Sequence, residues 1–339
     1  MLTAALPRRG AALFVVPAAI AALLLGLSPG ISHAQETDDE GGTKSLRESL
    51  DEAATAYQDA KIEMEESEKR ELKILVQLED LEDRRDDLMD EIQVTAATAY
   101  RTGRVGALTA LLNASSPEGF LERVVAVDML AKREGEQLAT FREISEDLGQ
   151  RQAELAEELA LQEDEVAKLE AAKKKAEDAL FAIGGGASAS FEPFPAEDAA
   201  PAPRNGDGSF SSEGCTLPDP TTSGCLTGRM LHALDEAKTF GFVRYTSCHR
   251  GGTFGEHPIG RACDFAASVN GFGGAAVGGD KAYGDRLASF FVHNATALAV
   301  QYVIWYRQIW FPGTGWRAYG GSGGDPASDH TNHVHVSIR

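Results

Sequence analysis

Cysteine is missing from the first 214 residues of this 339-residue chain. Proline is missing from residues 45–116 and 118–180, and positive charge is outnumbered over the chain as a whole. With 32 Lys and Arg against 52 Asp and Glu, the formal net charge of −20 argues against nucleic acid as a partner. The deficit is local. Residues 35–182 hold 38 acidic and 19 basic side chains, whereas residues 208–339 hold 10 of each. The surplus therefore belongs to a middle segment, where it reads as a solvated face. No C-x-x-C pair is present, which disfavours a cysteine-based zinc site. The four cysteines, Cys215, Cys225, Cys248 and Cys263, are an even set of the kind that forms two disulfides in an exported domain. Of three possible pairings, Cys215–Cys225 with Cys248–Cys263 is favoured, because the first pair flanks a Pro-rich turn that can close on itself.

What is present begins with an export signal. Arg8 and Arg9 precede an apolar run over residues 11–27, and Ser32-His33-Ala34 supplies small residues at a cut site. Residues 1–34 thus read as a signal peptide, with an uncleaved membrane anchor as the alternative. Either reading puts the chain outside the cytoplasm, secreted or associated with the cell envelope. Residues 35–44 form a polar, acidic spacer.

Small and apolar residues then recur at alternating steps of three and four. Leu46, Leu50, Ala53, Tyr57, Ala60, Met64, Ile74, Leu78, Leu81, Leu88 and Ile92 lie on one seam, with interruptions at Glu71 and Arg85. A second seam runs through Val124, Val127, Ala131, Leu138, Phe141, Leu148, Leu155, Leu159, Val166, Leu169 and Leu180. Helices this polar need a partner stripe to bury, and each is the other's nearest candidate. The spacing predicts a long α-helical coiled-coil hairpin over residues 45–182. Gly103 and Gly106 would break the first helix, and Leu108, Leu111 and Leu112 would form a short apolar helix. Ser115 or Ser116 would cap the next helix, with Pro117 in its first turn. Those leucines either pack the hairpin end or offer a surface to a partner.

This segment resembles the coiled coils that precede catalytic domains in secreted cell-wall hydrolases of Gram-positive bacteria. The resemblance rests on the long acidic helices and on the interruption YRTGRVGALTALLNASSPEGFLER. It implies that the coiled coil restrains the enzyme or docks it to a membrane division complex or to other cell-wall hydrolases.

Residues 183–207, rich in Gly, Ala, Ser and Pro, read as a flexible linker. Residues 208–339 then read as a small α+β domain with an antiparallel sheet. Helices are expected over 227–240 and 283–294. Strands are expected over 242–247, 300–310 and 333–338, with a turn at 311–315.

All histidines beyond residue 34 fall in this domain: His232, His249, His257, His293, His330, His333 and His335. Strict alternation in His333-Val-His-Val-Ser-Ile338 turns the apolar residues to the core and sets His333 and His335 side by side on the opposite face. Alone, such a pair reads as two exposed histidines. However, His257-Pro-Ile-Gly-Arg-Ala-Cys-Asp264 adds a His and an Asp that a turn at Gly260 can bring together. Two imidazoles and a carboxylate are the open, three-ligand set of a catalytic Zn²⁺, with one position left for water.

H-x(6)-D followed by a terminal H-x-H is similar to the zinc metallopeptidases related to lysostaphin, D-alanyl-D-alanine carboxypeptidase and the hedgehog domain. The carboxypeptidase branch is the nearer, through Ser247-Cys-His-Arg250 and the loop 257–264. The resemblance implies that His257, Asp264 and His335 bind zinc, with His333 beside the metal as an acid–base or transition-state group. It implies that Arg250 holds a substrate carboxylate or a developing oxyanion, and that His330 is a general base. Peptidoglycan stem peptides would be the substrate. Asn332 stands where that branch often has an acidic residue, and Glu256 where it has a small hydroxyl residue. These departures keep two other readings open. One is a non-catalytic cell-wall-binding regulator that recruits or activates other hydrolases. The other, a purely structural coiled-coil protein, leaves the His and Asp set unexplained.

Overall fold

The computed structural model describes residues 43–102, 109, 111–321 and 323–339. The signal segment, residues 103–106 where the first helix was expected to break, and Leu108 of the short apolar helix lie outside them. Contacts gather the described residues into one unit, Glu36–Arg339. Among them, no helix is long and apolar enough to cross a membrane.

The absence of proline and glycine lets α1 run unbroken over Lys44–Thr102, 59 residues. The second long helix, α2, spans Pro117–Ala182. It starts as the sequence predicts: the Ser116 hydroxyl accepts from Gly119 N, and Pro117 occupies the first turn. The two helices lie against each other antiparallel. Glu52 pairs with Lys175, Arg70 with Glu158 and Glu91 with Gln137, so rising numbers on α1 meet falling numbers on α2. Ile74, Leu78 and Leu81 bury against Ile144 and Leu148 midway along. Exposed ion pairs such as Lys174–Asp178 decorate the outside and are worth little each. At the end away from the sheet, Leu112, Leu121, Met129 and Leu130 are exposed.

The rest of the chain builds a six-stranded antiparallel sheet with strand order β3-β4-β8-β5-β6-β7. Its strands are β3 (Thr246–Ser247), β4 (Ala262–Ala266), β5 (Val300–Trp305), β6 (Gln308–Phe311), β7 (Gly315–Ala318) and β8 (His333–Ile338). A separate ribbon joins β1 (Leu217–Pro218) to β2 (Cys225–Leu226). Helices α3 (Gly228–Thr239), α4 (Gly278–His293) and the single turn α5 (Ala295–Leu298) cover one face. There Met230, Leu234, Leu287 and Phe291 pack on Phe265, Val303, Val334 and Val336.

The other face is covered too. Leu46, Leu50, Ala53 and Ala54 of α1, with Ala176 and Leu180 of α2, form one buried cluster with Tyr302, Ile304, Ile309, Phe311 and Tyr319. Leu50 and Leu180 are fully buried, worth about 1.5–3 kcal/mol each. The root of the helical pair therefore lies on the sheet, and β8 is buried at all six positions.

Three expectations change. The stretch 300–310 is two strands joined at Tyr306 and Arg307, both with positive φ. That two-residue turn normally takes Asn or Gly. Here it is held from outside by Tyr306 N on the His330 carbonyl and by Arg307 on the Asp329 carboxylate. Only Thr246–Ser247 of the expected 242–247 is a strand. The segment 183–207 has no regular element beyond a bridge at Ser188, yet it is strapped to the domain and does not hang free. Phe194 N donates to Ser289 Oγ, Ala199 N to Asn294 Oδ1 and Ala202 N to the Ala297 carbonyl.

Candidate metal centre

Register brings two of the expected ligands together. Strands β4 and β8 pair so that Asp264 lies directly opposite His335. Side chains directly opposite on one face of an antiparallel pair are within reach of each other. His257 enters from the preceding loop, whose turn is closed by Gly260 N on the His257 carbonyl at 3.1 Å. Gly260 has φ +72°, and a Cβ there would run into Cys215 Sγ and the Cys225 carbonyl. Both disulfides predicted from the sequence, Cys215–Cys225 and Cys248–Cys263, are formed. The second ties the residue before Asp264 to the segment that carries Arg250.

Asp264 Oδ1 lies 2.9 Å from His335 Nδ1 and 3.2 Å from His257 Nε2, and the two imidazole nitrogens are 3.2 Å apart. Donor atoms on a tetrahedral zinc with bonds of about 2.0–2.1 Å are separated by about 3.3 Å. The triangle is thus close to one face of such a tetrahedron. Each imidazole is also aimed: His257 Nδ1 donates to the Cys248 carbonyl, which leaves Nε2 as the lone pair facing the site. His335 Nε2 is 2.9 Å from Ser337 Oγ, which leaves Nδ1 to face Asp264. Such outer contacts fix the tautomer a metal ligand needs.

All three residues are buried, as are His330 and His333. Burial by itself would raise the Asp264 carboxyl. His257, His333 and the hydrogen bonds from His257 and His335 instead hold it well below the usual carboxylate range. Burial lowers the His333 imidazole to about 4, against the pull of the Asp264 charge. Burial likewise pushes His330 far below its ordinary value, helped by His333, His335 and Arg47. An ionised carboxylate and neutral imidazoles are the forms that accept a metal ion.

The remaining predicted residues gather round this triangle. His333 Nε2 is 3.5 Å from Asp264 Oδ1, and its Nδ1 is 2.7 Å from Asn332 Oδ1. Asn332 therefore orients His333 in place of an acidic residue, and its Nδ2 is anchored on the Gly273 carbonyl. Arg250 Nη1 donates to Asp264 Oδ2 at 2.6 Å, so one arm of its fork is committed to that carboxylate. That leaves Oδ1 alone facing the imidazoles. His330 sits at φ +50°, with Nδ1 on the Ser328 carbonyl and its ring 4.7 Å from that of His333. Its Nε2 is buried and has no hydrogen-bond partner among the described residues. An unmet buried acceptor carries a desolvation penalty of about 1–3 kcal/mol.

A family model described as VldE, C-terminal domain, matches residues 222–333. It spans about a third of the chain, takes in His257, Asp264, His330 and His333, and ends two residues before His335. Comparison with curated proteins found no match.

The other histidines stand apart from the triangle. His232 Nε2 meets the Ala200 carbonyl and His293 Nε2 meets Asp198, so both secure the strap. His249 lies near Cys215 and Cys225, but those sulfurs are joined to each other. Four neighbours of the site escape a reading from sequence. Tyr302 stacks on His335, Phe272 meets His333 edge-on, Tyr319 meets His330 edge-on, and Ser337 meets the outer nitrogen of His335. The strict alternation of β8 was the one signal available for Ser337, which shares a face with His333 and His335.

Proposed function

We propose that this chain is an exported, zinc-dependent peptidase that cuts the stem peptides of peptidoglycan, as a D,D-carboxypeptidase or endopeptidase. The observation that carries the reading is the triangle of His257 Nε2, Asp264 Oδ1 and His335 Nδ1, whose edges are 2.9–3.2 Å. His257, Asp264 and His335 would hold the ion. When bound, zinc supplies a Lewis acid that polarises the scissile carbonyl and makes water a better nucleophile. His330 Nε2, a buried lone pair with no partner among the described residues, is placed to take a proton. His333, neutral with its Nδ1–H on Asn332 Oδ1, turns the Nε2 lone pair toward the site and would serve there as an acid–base group. Arg250, 29% exposed beside Asp264, would hold a substrate carboxylate or the developing oxyanion of an incoming peptide. Two disulfides fit an oxidising, extracytoplasmic setting. The packed seams of α1 and α2 support a coiled-coil hairpin that localises or restrains the enzyme through a division complex or other hydrolases. The exposed apolar side chains at its far end support that role.

A second reading, a non-catalytic cell-wall-binding regulator, is favoured by one observation: α1 and α2 lie on the ligand-bearing face of the sheet. Zinc content of the purified full chain, followed by incubation with muropeptides over a range of pH, separates the two. One zinc per chain with cleavage supports the peptidase. One zinc with no cleavage supports the regulator, and no zinc removes the peptidase.

A further inference from the structure

The long N-terminal helix reaches the metal centre through one buried side chain. Arg47 is only 3% exposed, although it stands in a helix whose charged residues mostly face solvent. Its Nη2 donates to the Tyr319 hydroxyl at 3.0 Å, and its guanidinium carbon lies 5.3 Å from the centre of the Tyr302 ring. Each tyrosine in turn touches a site histidine. The Tyr302 ring stacks on His335 at 5.6 Å and 17°, and the Tyr319 ring meets His330 edge-on at 5.8 Å.

We infer that Arg47 is a positioning residue of the metal centre, binding together the two tyrosines that flank His335 and His330. This rests on the metal reading above. His335 is held on one side by Ser337 and on the other by the Tyr302 face. A guanidinium lying over that tyrosine and bonded to Tyr319 ties the two aromatic walls into one frame. The frame is fixed from the helix side by Leu46 and Leu50, buried in the same cluster as both tyrosines. One turn further along, Asp51 accepts from Gln301 and, at 3.3 Å, from Arg261, which lies three residues before Asp264. α1 therefore braces the ligand loop as well as the ligand strand. In this arrangement the helical pair supplies part of the wall of the site, and a head domain without it holds a looser triangle.

The test uses the full chain with Arg47→Met, which keeps much of the aliphatic volume and removes the guanidinium. Arg47→Lys keeps the charge without the fork, and Tyr319→Phe removes one partner without touching the helix. Zinc affinity is read by competition with a chelator, and ligand geometry by the visible spectrum of the Co²⁺-loaded protein. Loss of an outer-contact residue at a metal site weakens binding by about 10–100-fold, and that range is expected for Arg47→Met, together with a shifted cobalt spectrum. Arg47→Lys should fall between it and the parent chain. Tyr319→Phe should weaken zinc less than Arg47→Met, and the double variant should be no weaker than Arg47→Met alone. An Arg47→Met chain with the parent's zinc affinity and cobalt spectrum overturns the inference, whatever happens to its melting temperature. Should Arg47→Met fail to fold, Tyr319→Phe decides: unchanged affinity overturns the inference, and weakened affinity supports it. A parent chain that takes up neither ion overturns both this inference and the metal reading. A parent chain that binds zinc tightly but cuts no muropeptide overturns only the peptidase.

Discussion

Each imidazole in the triangle has one nitrogen occupied outside the site and the other facing in, and this division of labour yields the first prediction. His335→Ala removes a vertex of the triangle and should abolish stoichiometric zinc binding. His330→Ala removes a buried lone pair that lies outside the three-residue set. It should keep zinc and lower muropeptide cleavage by about 10²–10⁴-fold, the usual worth of a general base. Metal analysis of both variants beside a cleavage assay checks the pair. A His330→Ala chain that cleaves as the parent does removes that residue from the proposed mechanism.

The same burial sets a pH dependence in the metal-free protein. The folded chain holds His333 at about 4, whereas the unfolded chain protonates it near its ordinary 6.5. Below pH 6.5 the unfolded state therefore binds more protons, and stability falls as pH drops toward 4. The loss from this group approaches about 3 kcal/mol. His330 acts in the same direction. Asp264, depressed in the fold, contributes stability that is present above its ordinary value of 3.8 and is lost only at lower pH. Thermal melts of chelator-treated protein should show a lower Tm at pH 5 than at pH 7, with a shallower slope for His333→Gln. A Tm that stays level over that interval would count against the burial of these imidazoles.

At the scale of elements, the loop from His257 to Asp264 depends on a turn that only glycine fits. Gly260→Ala would force a side chain into left-handed backbone and against Cys215 and the Cys225 carbonyl. It should destabilise the chain by about 1–3 kcal/mol and loosen the link between His257 and Asp264. Chemical denaturation and chelator competition measure the two effects separately. This turn was legible in the sequence, as were the helices, both disulfides and the alternating terminal strand. Each of these rests on local chemistry: glycine at a bend, a heptad seam, an apolar alternation. What the sequence did not reveal was settled by distant contacts. The Tyr306-Arg307 turn carries no turn residue and is held by Asp329 and the His330 carbonyl, supplied more than twenty residues later in the chain. Strand β4 hid inside a motif read for its ligands, so the Asp264–His335 register was not anticipated. The strap over 183–207 has a linker's composition, and its order comes from acceptors on α4 and α5 that no local pattern announces.

At the scale of the whole molecule, these long-range contacts decide where the folding unit ends. Composition suggests a boundary near residue 208, but the sheet face that bears Tyr302 and Ile304 is covered by residues 46–54 of α1 and by Ala176 and Leu180 of α2. A fragment covering 208–339 would expose Tyr302, Ile304, Ile309 and Phe311 and would also lose the strap. Three of the strap's hydrogen bonds, from Phe194, Ala199 and Ala202, are worth about 0.5–1.5 kcal/mol each. The stacking of Phe191 on Trp316, centroids 4.4 Å apart, adds about 1 kcal/mol. A loss of about 3–5 kcal/mol from these four contacts alone corresponds to a fall in Tm of roughly 10–20 °C for a domain of this size. Removal of the helical cover lowers it further, because apolar surface returns to water. Melting temperatures should therefore rise from 208–339 through 183–339 to 43–339, with the largest step on adding the helices. If the shortest fragment melts with the longest, the helices do not contribute to the stability of the head, and the shared cluster around Leu50 carries no weight in the fold.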